Sequence, residues 1–166
     1  MSKRKELIFI TICEGISDII KRLSLFLAGA FLLINIGVII MSVFLRYFFH
    51  YSPIWTEEVA MFALIWAVMF GAVAAFSYGE HVSITAVEKF MPEITGKIMR
   101  YFRHILIVGI LGFMVYVGVN YVSSTWKFRT LALDIPKAIP LMSIPIGMGL
   151  MLLQYILLEI VSRFKR

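Results

Sequence analysis

Four stretches that contain no Asp, Glu, Lys, Arg or His constrain this chain more than any other feature. They are residues 23–45, 59–79, 105–126 and 138–158, which count 23, 21, 22 and 21 positions. A helix rises about 1.5 Å per residue, so roughly 20 residues cross the hydrocarbon core of a bilayer. One such run fits a buried core helix of a soluble domain. Four do not: in 166 residues that are 61% hydrophobic and 16% charged, too little polar chain is left to bury them. The fold class is therefore an all-α integral membrane protein with four transmembrane helices. A single membrane domain over 1–166 is expected, with spans at about 23–45, 53–79, 105–126 and 138–158. The first apolar run ends at Arg46 with no small-residue cleavage pattern, so it is expected to remain as a span. Cys13 is the only cysteine, which excludes an internal disulfide.

The basic residues give a direction. Lys3, Arg4, Lys5, Lys21 and Arg22 precede the first span. Lys89, Lys97, Arg100 and Arg103 lie in the second loop, and Arg163, Lys165 and Arg166 in the tail. Only Arg46 lies in the first loop, and Lys127, Arg129 and Lys137 in the third. Short loops rich in Lys and Arg stay cytoplasmic. Both termini are thus expected in the cytoplasm of a bacterial inner membrane, with 46–58 and 127–137 outside. The net charge of +6 reflects this orientation and contact with anionic lipid, not a nucleic-acid surface. Tyr47, Phe48, Phe49, Tyr51, Trp55 and Trp126 fall at the outer span ends, and Tyr101 and Phe102 at the inner side, where amphipathic rings favour the headgroup level.

Residues 6–22 are apolar but interrupted by Glu14, Asp18, Lys21 and Arg22. At about 100° per residue, Ile8, Phe9, Ile12, Cys13, Ile16, Ile19 and Ile20 share one face. Glu6, Thr11, Glu14, Ser17, Asp18 and Lys21 share the other, with Leu7 and Ile10 as exceptions. An N-terminal amphipathic interfacial helix is expected here. The second loop, 80–104, reads as two short interfacial helices broken at Pro92. Anchoring on membrane lipid and bracing of a mobile partner both suit these segments.

Within the second span, Ala63, Ala67, Gly71 and Ala75 recur every fourth residue, with Ala60 and Ala74 nearby. Such a stripe lets another helix approach closely. That helix belongs either to the same bundle or to a separate subunit. Ser52-Pro53 suits an N-cap followed by Pro at the first helical position, and Pro145 is expected to kink the start of the fourth span.

Ion- and proton-coupled carriers place ionisable groups at membrane depth, where a charge is costly unless it has a task. Here mid-span polarity is limited to Asn35, Ser42, Ser77, Asn120, Ser123, Ser124, Ser143 and Gln154. A transport pathway within this chain alone is not expected. A membrane cytochrome needs facing histidine pairs in its bundle. His50, His81 and His104 all lie at span ends, so no cofactor is expected, and a cytochrome b-like anchor of a redox complex is the alternative reading. A small self-assembling exporter would be expected to carry a buried carboxylate in a span. Nucleophilic triads, metal-ligand spacings and phosphate loops are absent, so no catalytic or metal site is expected and the chain is not read as an enzyme.

The most distinctive stretch runs from Arg46 to His81. Arg46 closes the first span, Trp55 and Glu58 form a Trp-x-x-Glu opening the second, Gly71 lies within it, and His81 follows it. This resembles the small membrane subunit of the tripartite ATP-independent periplasmic (TRAP) transporters. The motif region covers about 36 residues, and the four-span layout extends the likeness along the chain. The resemblance implies two partners: a large multi-span transport subunit holding the sodium and substrate sites, and a periplasmic binding protein delivering an organic anion such as a C4-dicarboxylate or a sialic acid. The small subunit is then a scaffold.

Roles follow as expectations. Glu57 or Glu58 pairs with Arg46 and locks the outer hairpin, or both remain solvated headgroup-level charges. Trp55 anchors in the aromatic belt or touches the binding protein. His81 caps the end of the second span or bonds a neighbouring backbone group. Lys127, Arg129 and Lys137 suit an acidic patch on the binding protein.

Overall fold

The computed structural model describes the backbone of residues 2–88 and 93–164, and the side chains of 10–78 and 101–161. Five helices follow in order: α1 Ser2–Phe48, α2 Ile54–Glu88, α3 Glu93–Thr125, α4 Ala138–Leu141 and α5 Ser143–Phe164. Among the described residues there is no strand, only one isolated antiparallel bridge between Arg129 and Pro136. Four helical stretches are long and apolar enough to cross a membrane: Ile10–Phe48, Ile54–Tyr78, Tyr101–Thr125 and Ala138–Val161. The last includes the short α4, and Met142 joins it to α5 in a helical conformation.

The division expected near residue 22 is not marked by any break, because α1 is continuous from Ser2 to Phe48. Nothing there interrupts it: no Pro occurs, and Lys21 and Arg22 are tolerated helix formers. Its stretch Ile10–Phe48 alone has 39 residues. At 1.5 Å per residue that is about 58 Å, nearly twice the hydrocarbon thickness. Likewise α2 runs past the apolar span to Glu88 and α3 starts at Glu93, so the flanks of the second loop extend the spans themselves. The expected break at Pro92 lies outside the described residues.

Helices α1 and α2 form a long antiparallel pair. From one end to the other, the hydroxyls of Ser42 and Thr56 are hydrogen-bonded at 3.1 Å, and Asn35 Nδ2 donates to the Ala60 carbonyl at 2.6 Å. Phe31 then stacks on Trp66 at 5.9 Å, Gly71 faces Ala28, and the Lys21 ammonium lies 3.7 Å from the Tyr78 ring centre. Helix α5 lies against both. Gly147 meets Met69 of α2, and Gln154 bonds Ser17 of α1. Helix α3 is the outlier, packing chiefly on α4 and α5. A small apolar cluster of Val73, Leu111 and Met151 closes the centre.

The burial pattern inverts that of a soluble protein. Ser17, Ser24, Asn35, Ser77, Ser143 and Gln154 are buried, whereas Phe26, Leu33, Ile40 and Ile105 are exposed. Lipid is as apolar as leucine, so apolar side chains gain little by turning inward, and polar groups seek one another instead.

Candidate functional site

The end of the bundle that carries the first and third loops is built around one carboxylate. Helix α1 closes where the Leu45 carbonyl accepts the amides of Phe49 and Tyr51, at 3.0 and 3.3 Å. His50 takes a left-handed conformation (φ 51°) to reverse the chain, a geometry that histidine adopts more readily than most residues. Helix α2 opens at Ile54, and Thr56 stitches its first turn by donating to the Pro53 carbonyl at 2.7 Å. Glu58 follows on the next turn, pointing toward the third loop.

That loop is a compact hairpin. The Thr130 amide donates to the Ile135 carbonyl at 2.9 Å, and the Lys137 amide to the Phe128 carbonyl at 2.8 Å. Asp134 turns the chain with φ 52°. Arg129 spans the turn, its Nη1 lying 3.0 Å from Asp134 Oδ2 and 2.9 Å from the Asp134 carbonyl. The turn leaves two successive amides facing inward. Both go to Glu58: Ala132 N–H donates to Oε1 at 2.9 Å and Leu133 N–H to Oε2 at 3.1 Å. Successive amides in a turn form an anion-binding concavity, and bonds to a charged acceptor are the stronger kind. Glu58 thus clasps the α1–α2 pair to the connection between α3 and α4. Leu131 stands at the apex of the hairpin, 96% exposed.

The Arg46–Glu58 pair expected from the sequence does not form. Arg46 is exposed and has no carboxylate partner among the described residues, because Glu58 is engaged on its other side by the hairpin amides. Glu57 is exposed, and Trp55 is partly exposed beside the belt of Tyr47, Phe48, Phe49 and Tyr51. Lys127, Arg129 and Lys137 are all exposed at this end, with the Arg129 charge offset by Asp134. Ala63 and Ala67 are buried, while Ala75 is exposed. Gly71 faces α1, where an added Cβ would lie 3.9 Å from the Ala28 Cβ, an ordinary contact. His81 does not end its helix, since α2 continues to Glu88; its side chain lies outside the described residues.

Three contacts escaped sequence reasoning. Gln154, fully buried, donates through Nε2 to Ser17 Oγ at 2.6 Å, although a periodicity argument puts Ser17 on a polar outer face. His104 of α3 bonds the Tyr155 hydroxyl through Nδ1 and lies 3.1 Å from Glu159 through Nε2. Gly118 is a close approach of α3 to α5, where an added Cβ would sit 3.2–3.4 Å from the Pro145 ring. A lone Gln in a span, and a Gly in one span matched in depth to a Pro in the next, were the available signals.

Four membrane-length helices among the described residues, with a buried set of polar groups between them, define a multi-pass membrane protein. The chain matches the family described as tripartite ATP-independent periplasmic transporters, DctQ component, over residues 35–166. It belongs to that family: it is a small-permease-type subunit of a TRAP transporter, and not an enzyme. It is 28% identical over 101 residues to the sialic acid TRAP transporter permease protein SiaT of Haemophilus influenzae, covering 61% of this chain and 16% of that protein. It is 30% identical over 71 residues to a putative TRAP transporter small permease protein of Haemophilus influenzae, covering 43% of this chain and 44% of that one. The chain thus spans well under two thirds of the length of either relative.

Proposed function

We propose that this chain is the non-conducting scaffold subunit of a TRAP-type secondary transporter in a bacterial inner membrane, with both termini cytoplasmic. It works with a large multi-span transport subunit and a periplasmic binding protein to take up an organic anion, of C4-dicarboxylate or sialic acid type, together with sodium. One observation carries the scaffold reading: Asn35, Gln154 and Glu58 are engaged in holding helices and the third loop together. Asn35 serves Ala60, Gln154 serves Ser17, and Glu58 serves the third-loop hairpin. An ion in transit needs ligands that exchange partners, and polar groups locked into interhelical bonds do not offer them. The exposed basic residues Lys127 and Lys137 beside Leu131 support a docking role for the hairpin toward an acidic binding protein.

The test is uptake of labelled sialic acid or C4-dicarboxylate under an inward sodium gradient, in cells holding the large subunit and binding protein. Deleting this chain should reduce uptake to background, and restoring it should recover the activity. Full uptake by the large subunit without this chain overturns the reading.

A further inference from the structure

Helix α3 uses only one face to join the bundle. Leu111, Gly118 and Thr125 are buried on it, while the opposite side looks away from every other helix. Along that far side Leu106, Gly109, Phe113, Tyr116 and Asn120 follow one another at alternating spacings of three and four. All five are exposed. This is the spacing of a knobs-into-holes seam, in which a second helix packs along the first.

A run of apolar residues at that spacing would suit lipid equally well. Asn120 separates the two cases. It lies five residues in from the end of α3 at Thr125, about 7.5 Å along the helix, inside the Tyr101–Thr125 span. Its Nδ2 donates once, to the Tyr116 carbonyl at 3.1 Å. Its Oδ1 and second N–H have no partner among the described residues. The neighbouring serines differ: Ser123 and Ser124 donate to carbonyls of their own helix, at 2.8 and 2.9 Å, so each hydroxyl proton is satisfied without help. Asn35, the other mid-span asparagine, is buried and donates across to α2 at 2.6 Å. An amide facing hydrocarbon with its acceptor unpaired is unfavourable, and acyl chains offer no donor. Gly109, with nothing within 4 Å of its would-be Cβ, lets a second backbone approach closely on the same seam.

We infer that this face of α3 is the seat of a transmembrane helix of the large transport subunit, one that carries a hydrogen-bonding side chain level with Asn120. The occupant follows from two observations: the unpaired amide demands a polar partner at membrane depth, and the region matched in SiaT is only 16% of a much longer permease polypeptide. This rests on the scaffold reading, since it takes the large subunit as the companion.

The test uses the complex in its own membrane. A photoreactive p-benzoylphenylalanine placed at Tyr116 should cross-link this chain to the large subunit, whereas the same probe at Leu33, on the exposed face of α1, should give lipid adducts. Asn120→Leu and Gly109→Leu should each lower recovery of the large subunit by about tenfold on affinity purification, with Asn120→Gln retaining most of it. A Tyr116 product at twice the mass of this chain, or lipid adducts alone, overturns the inference. So does unchanged recovery in both leucine variants. If wild-type protein recovers no large subunit at all, the scaffold reading fails with it; if it does and only the α3 results fail, the assignment of the face is wrong and the scaffold reading stands.

Discussion

The two ends of this bundle are fastened by different chemistry. At the loop end a carboxylate on α2 takes two successive backbone amides of a hairpin 74 and 75 positions away. At the opposite end contacts between side chains join helices: Gln154 to Ser17, and His104 to Tyr155 and Glu159. The first arrangement satisfies both carboxylate oxygens with donors that have no other outlet. The second is incomplete, because Gln154 Oε1 is buried with no partner among the described residues. The difference teaches where rigidity resides: a charged acceptor matched to fixed main-chain donors specifies one geometry, whereas contacts between rotatable side chains hold two helices together more loosely.

Substitutions at the two ends should separate these cases. The largest effect is expected from Glu58→Ala, which leaves two hairpin amides without an acceptor. Hydrogen exchange at Ala132 and Leu133 should accelerate and the unfolding temperature of the purified protein should fall, with Glu58→Gln intermediate because one acceptor oxygen survives. Exchange that stays slow at both amides would remove the clasp. At the other end, Gln154→Leu should cost less, of the order of 0.6 kcal/mol, the average for a polar contact between membrane helices. Part of that loss is offset by removing the orphaned Oε1, and a denaturation series in detergent measures the balance. A larger penalty than that of Glu58→Ala would invert the comparison. The smallest effect belongs to Arg46: Arg46→Ala should leave stability and complex assembly unchanged. Reversing Arg46 and Glu58 together should not rescue the Glu58 defect. Rescue would restore the ion pair that the structure lacks.

The spans were legible because the criterion is blunt. A charge-free run of about 20 residues has few fates other than crossing a bilayer, and the four expected spans are matched in number by four membrane-length helices among the described residues. The faces were not legible in the same way. Periodicity puts Ser17 on a polar face with Glu14 and Asp18, yet Ser17 is buried against Gln154. The rule was written for water, and beside lipid an apolar side chain carries no preference for the interior. The partner of Glu58 was hidden for a second reason. Its acceptors are main-chain amides in a distant turn, and backbone donors leave no residue-type signature. Arg46, the nearest opposite charge in sequence, was the visible candidate and the wrong one.

By itself, then, the sequence determined the number of the membrane helices and the spacing of the motif from Arg46 to His81, because bilayer thickness and the cost of buried charge act on the chain segment by segment. Tertiary structure alone decided which faces meet, which polar group answers Glu58, and which asparagine bonds only within its own helix. Those outcomes depend on hydrogen-bonding groups finding each other across helices, in a solvent that leaves apolar surfaces indifferent.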